Sequence, residues 1–91
     1  MVVKVEHLPE FGRFQAVVDG HRCVAAYRLA GNVMQMTHTE VHPALQGRGI
    51  AAELVAAALA HARANGLKVV PLCSYVQTYL RRHPQERDLL T

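Results

Sequence analysis

Tryptophan is absent, and the aromatic side chains amount to two phenylalanines and three tyrosines. A core without large rings must be assembled from aliphatic residues, and the many alanines here imply small side chains in close contact. Cysteine is nearly as scarce. Cys23 and Cys73 are the two present, and they lie far apart in sequence. That spacing supplies no disulfide framework, and both are read as free thiols. No apolar run approaches the roughly 20 residues needed to span a bilayer. No basic stretch followed by an apolar one opens the chain, so a signal peptide is not expected and a cytoplasmic location is. Charge of one sign is also lacking. The formal net charge is +3, with no basic run interleaved with aromatics. Nucleic acid and membrane are therefore not expected as partners. The mild positive balance does suit a polyanionic small ligand such as a nucleotide-containing one.

What is present fits one soluble domain over residues 1–91, with 51% hydrophobic and 19% charged residues. No repeat, linker or low-complexity segment divides it. The first half reads as strands joined by short turns: residues 2–6, 13–18, 22–29 and 33–41. Gly12, Asp19-Gly20 and Gly31-Asn32 act as punctuation. Short connections of this kind favour an antiparallel meander. The period then changes. Over residues 48–65 alanine and leucine dominate, and Ile50, Leu54, Ala57, Ala58 and His61 fall at helical spacing. Asn65-Gly66 stops that helix, since glycine accepts the left-handed conformation. Residues 67–72 form a short apolar run suited to a buried strand. A second helix fits residues 74–82, ended by the steric demand of Pro84. Four strands, helix, strand, helix is a mixed α/β order. Its crossover places the fourth and fifth strands parallel.

Between the fourth strand and the first helix stands Gln46-Gly47-Arg48-Gly49-Ile50-Ala51. A helix N-terminus has unpaired backbone N–H groups and partial positive charge. Glycines there let phosphate oxygens approach the backbone. The spacing fits neither a Walker loop, which needs a following Gly-Lys-Ser/Thr, nor a dinucleotide fingerprint, which needs a third glycine. An ordinary strand-to-helix loop would also use glycines in this way.

These six residues resemble the Gln/Arg-x-x-Gly-x-Gly/Ala motif of the GNAT superfamily of N-acetyltransferases. The likeness extends to a small single-domain GNAT-like group through His38-Thr39-Glu40-Val41 before the turn, Pro71-Leu72-Cys73-Ser74-Tyr75-Val76 after the next strand, and Arg82-His83-Pro84 near the end. It covers roughly residues 33–84. The resemblance implies a mostly antiparallel sheet of about five strands and two helices, with a parallel β4/β5 pair that splays apart. It also implies acetyl-CoA as co-substrate. Backbone groups near Val41 and His42 would hold the pantetheine arm in the gap. The N–H groups of Gln46, Gly47, Arg48, Gly49, Ile50 and Ala51 would meet the pyrophosphate. The two N-terminal helices of larger relatives are missing, which implies an open acceptor site and leaves the acceptor unspecified: a protein or peptide lysine, or a polyamine. Oligomeric state is not specified either.

Acetyl transfer to an amine requires a base, a polarised thioester and a stabilised or protonated leaving thiolate. His38 is the candidate base, because imidazole titrates near neutrality. Unbroken alternation sets Met34, Met36, His38, Glu40 and His42 on one face, and the family often carries a bulge here. Cys73 opens the second helix, where a thiol is more acidic. It can protonate the departing thiolate or accept the acetyl group itself, and the family's direct transfer favours the first. A buried structural role is the bland alternative for Cys73, and Cys23 is read as core. Tyr79 lies near where larger relatives carry a tyrosine acid, although Tyr75 and Tyr79 share a helix face and can simply pack. Arg81, Arg82 and Arg87 form a basic cluster that reads as a solvated face. No metal site is expected, since His38 and His42 on a strand would stand about 13 Å apart. The function implied is acetyl transfer from acetyl-CoA to a primary amine. The alternative is a non-catalytic acyl-CoA-binding or protein-interaction module.

Overall fold

The computed structural model describes residues 3–91. One five-stranded sheet runs in chain order: β1 (Glu6–Leu8), β2 (Arg13–Val18), β3 (His21–Ala30), β4 (Val33–Glu40) and β5 (Lys68–Pro71). The first three junctions are antiparallel, and β4 pairs parallel with β5. The crossover between those two is α1 (Ile50–Ala64), and α2 (Ser74–Arg82) follows β5. The expected mixed architecture is present. Among the described residues no helix is long and apolar enough to cross a membrane.

The first strand lies later than its composition suggests. The ladder begins at Glu6, and Val3 and Val5 pack against the core without joining it, while Val2 is outside the described residues. Register explains the shift. Leu8 pairs with Arg13 across a turn of 3-10 helix, Pro9–Phe11, closed by Gly12 in the left-handed region at φ 64°. Proline at the first position of that turn fits its fixed φ.

Every fully buried strand residue points to the same side. Phe14, Ala16, Cys23, Ala25, Tyr27, Met34, Met36 and Val69 meet Ile50, Leu54, Val55, Ala58, Leu59 and Ala62 of α1, and Val76 and Leu80 of α2 join them. Cys23 is thus a core residue with a free thiol. Beyond α2, a 3-10 segment Pro84–Leu89 returns the chain to the sheet, where Leu90 bridges Val69 in parallel. Arg63 near the end of α1 fastens this return through Asp88 at 2.8 Å and Glu86 at 3.3 Å. Among the described residues no helix covers the opposite side of the sheet. Gln15, Val24, Ala26 and Gln35 there are half-buried, and Val17, Arg22 and Arg28 are exposed.

The expected alternation along β4 fails after Met36. Tyr27 pairs with Met36 and Ala26 with His38, so Thr37 is an extra residue and forms a β-bulge. One inserted residue exchanges the two faces of everything that follows. Met34 and Met36 face the helices. His38 and Glu40 face the open side, and Thr39, opposite the buried Ala25, takes the helical side.

At the far end of α1, His7 stacks on Phe14 at 4.1 Å between centroids, meets the edge of His61 at 4.3 Å and hydrogen-bonds the Tyr27 hydroxyl. Burial, then the neighbouring His61, hold the His7 imidazole below its usual range, against a smaller opposing pull from Glu10. A depressed imidazole pKa means the unfolded chain binds the proton more readily. The His7 contribution is complete above the unfolded value of 6.5 and is lost as pH falls through the lower folded value. Urea midpoints should therefore drop between pH 7.5 and 5, and the drop should be smaller in His7→Phe. Equal drops in both proteins would contradict this account.

Candidate functional site

The site starts where the parallel ladder stops. Met36 pairs with Pro71, and the Met36 carbonyl then accepts N–H groups from both Leu72 and Cys73, each at 3.0 Å. Beyond this point β4 pairs only with β3, through Thr39↔Ala25 and Glu40↔Val24. The β5 side of β4 is left with open main-chain groups, and the strands part. A cavity of about 410 Å³ fills the helical side of this opening. Thr39 and Val41 form one wall, and Leu45, Gln46, Gly47 and Gly49 of the connecting turn form another. Ile50 and Ala51 of α1 and Tyr75 of α2 close it.

The turn is shaped by local chemistry. His42 Nδ1 accepts the Ala44 N–H at 3.1 Å and so caps the 3-10 turn Pro43–Leu45. Its ring also stacks on His21 at 3.7 Å. Gly47 and Gly49 then adopt φ of 86° and 78°, a region that side chains with a β-carbon seldom enter. Nothing lies within 4 Å of where a β-carbon on either would sit, so the space beside this backbone is free. The first helical bond of α1 runs from the Glu53 N–H to the Gly49 carbonyl at 3.1 Å. The amides of Ile50, Ala51 and Ala52 precede it and have no helical acceptor. Gly49 as N-cap supplies no side-chain cap for them. Two glycines, free space and orphan N–H groups give this helix start the chemistry that an anion requires.

Cys73 stands across the opening as N-cap of α2. Its thiol is half-buried and donates to Thr39 Oγ1 at 3.5 Å. Burial pushes the Cys73 pKa up, but the thiolate accepts from the Thr39 hydroxyl, which can turn to donate, and from the neighbouring amides of Val76, Tyr75 and Thr39, and the net shift is downward. Tyr75 and Tyr79 are both held above the ordinary phenol range, chiefly by burial. His38 lies on the other side of the sheet, its side chain 61% exposed and its Nε2 3.5 Å from Glu40.

The sequence profile of the GCN5-related N-acetyl-transferases matches residues 13–89. The chain belongs to that family. Protein NATD1 of mouse is 35% identical over 85 residues, covering 90% of this chain and 77% of its own. The zebrafish NATD1 is 30% identical over 90 residues, covering 96% and 82%. The solution structure of a GCN5-like protein from Staphylococcus aureus superposes with a TM-score of 0.77 at 25% identity, covering 97% of this chain and 87% of that one. This GCN5-related chain thus shares its overall fold with that protein.

Of the residues singled out in the sequence, Val41, Gln46, Gly47, Gly49, Ile50 and Ala51 line the cavity. Arg48 does not, because its guanidinium is tied to Asp19 of the β2–β3 turn at 2.9 Å. The His42 Nδ1 is occupied with its cap. Cys73 adjoins the cavity through Thr39, and His38 faces away from it. Thr39 is the residue that strand alternation missed, and the signal that would have found it is the Thr37 bulge. Tyr75, read as packing, forms a cavity wall.

The Cys73–Thr39 contact predicts a measurable thiol. Alkylation of Cys73 by iodoacetamide should reach half its maximal rate below the pH typical of an unperturbed cysteine. Thr39→Val should move that midpoint upward, and Thr39→Ser should restore it. An unmoved midpoint in Thr39→Val would remove the hydroxyl from this role.

Proposed function

We propose that this chain is an acetyl-CoA-dependent N-acetyltransferase that moves an acetyl group to a primary amine by direct transfer. The observation that carries the reading is a cavity that runs from the glycine turn at the start of α1 to Thr39, whose hydroxyl meets the Cys73 thiol. Its residues fit the substrate. A pyrophosphate suits the amides at the start of α1 and the free space beside Gly47 and Gly49. The open main-chain edge of β4 suits the amide groups of a pantetheine arm, which can pair there as an added strand does.

In this reading Cys73 supplies the proton that the departing thiolate takes. The amine nitrogen bonds to the acetyl carbon, the carbon–sulfur bond breaks, and the sulfur leaves as the free thiol. A thiol with a lowered pKa is a better donor for that step, and the Thr39 hydroxyl holds it in place. His38 takes the proton lost by the amine and Glu40 orients its ring. Because His38 lies on the open side of the sheet, the acceptor approaches from there and the thioester from the helical side. They meet where β4 and β5 part. Among the described residues no helix covers the open side, which suits a lysine on a protein or peptide, or a polyamine.

A second reading, a binding module without turnover, draws on the exposure of His38 away from the cavity. The two readings share the ligand and differ in the chemistry. Calorimetry should show acetyl-CoA binding with micromolar affinity. Gly49→Val should weaken it at least about tenfold, since a side chain would occupy the space left for phosphate. No binding at millimolar acetyl-CoA would overturn both readings. Among amine acceptors that support turnover, Cys73→Ala should lower kcat by roughly a hundredfold with little change in acetyl-CoA affinity, as expected for loss of a general acid. Binding without turnover on any amine, peptide or protein tested would favour the module.

A further inference from the structure

The basic cluster at the end of α2 is not uniform. Arg48 is paired with Asp19, and Arg63 with Asp88 and Glu86. Arg81 donates to Thr78 Oγ1 at 3.1 Å, and Arg87 to the carbonyls of Leu80 and Arg81. Arg82 alone among these has no ion pair or hydrogen bond among the described residues. It is also the one that borders a cavity. A shallow space of about 130 Å³ lies between α1 and α2, walled by Ala52, Tyr75, Thr78, Tyr79, Arg82 and His83.

Two features join this space to the larger cavity. Tyr75 is a wall of both, and Ala51 and Ala52, adjacent in the first turn of α1, face one each. A ligand with its diphosphate on the α1 amides and its thioester toward Cys73 must send its remaining end outward past that turn. On this side it meets small side chains and a preformed aromatic surface. Tyr79 and His83 stack at 3.9 Å with their rings 13° from parallel, and His83 Nδ1–H donates to the Tyr79 carbonyl at 2.8 Å. The other flank of the turn is less suitable for an anion, since Arg48 there is already neutralised by Asp19.

We propose that the space between α1 and α2 receives the adenosine 3′-phosphate end of the acyl-CoA substrate, with the Arg82 guanidinium holding the 3′-phosphate and the adenine packing against an outer face of the Tyr79–His83 stack. The assignment rests on the acetyl-CoA reading above and extends it to a named residue. Aromatic faces accept a planar base without needing a base-specific pattern. A guanidinium fits phosphate oxygens in a forked geometry. Of the nearby carboxylates, Glu86 is already engaged by Arg63, so the Arg82 guanidinium is left for an added anion.

The test compares coenzyme A with 3′-dephospho-coenzyme A by calorimetry on the whole chain. The wild type should bind coenzyme A roughly tenfold more tightly than the dephospho form, the scale of one charge-assisted contact. Arg82→Gln should abolish the difference by weakening only coenzyme A. Arg81→Gln removes the same charge one residue away and should preserve it. The proposal fails if Arg82→Gln still discriminates as the wild type does. It also fails if both variants lose discrimination equally, which would indicate a general field rather than a contact. A wild type that binds neither ligand overturns the acetyl-CoA reading and this proposal together. A wild type that binds both equally overturns this proposal alone.

Discussion

One carbonyl group governs where the sheet ends and the site begins. In a regular parallel ladder each carbonyl serves one amide of its neighbour. Met36 O accepts two, from Leu72 and Cys73. The doubled acceptance ends the β4–β5 pairing and turns the second strand aside. The opening it creates sits directly below the start of α1, because the link from β4 to α1 is short and is held by the His42 cap. The cavity, the exposed main-chain edge of β4 and the position of Cys73 all follow from that local termination.

The Thr37 bulge determines what each side of the opening contains. Had β4 continued without it, His38 would have faced the helices, and Thr39 would have faced away from Cys73. With it, a hydroxyl and a thiol meet on the covered side, and an imidazole–carboxylate pair stands on the uncovered one. The bulge is therefore the step that converts a plain strand into two chemically different surfaces. Its position beside the parting of the strands matches the frequent occurrence of bulges where sheets adjoin functional sites.

The sequence made the fold largely readable. The change from strand-like to helical period near residue 48 was clear, as were the glycine stops after α1 and before β4. The start of β1 was not, because Val3 and Val5 satisfy a strand pattern yet reach the core without ladder bonds, and pairing partners are invisible in a linear reading. At the site, the glycine turn was legible because it needs backbone conformations that leave a compositional trace. The partner of Cys73 was not, because a bulge has no comparable trace: Thr37 looks like any β-branched strand residue. The engagement of Arg48 by Asp19 was equally hidden, since it joins residues from separate turns. The unengaged state of Arg82 is visible only when the partners of its neighbours are known.

The sheet covered on one side only has an electrical consequence. Water surrounds the exposed His38 and Glu40 side chains, while Cys73 and Thr39 are half-buried on the helical side. The gap between β4 and β5 is thus a boundary between a more polarisable and a less polarisable surrounding. Dissolved ions, whose influence extends about 8 Å at physiological strength, screen exposed charges readily and enclosed ones far less. Salt will screen the exposed imidazole–carboxylate pair more strongly than the half-buried thiol, so the two sides of the opening respond unequally to the same solution.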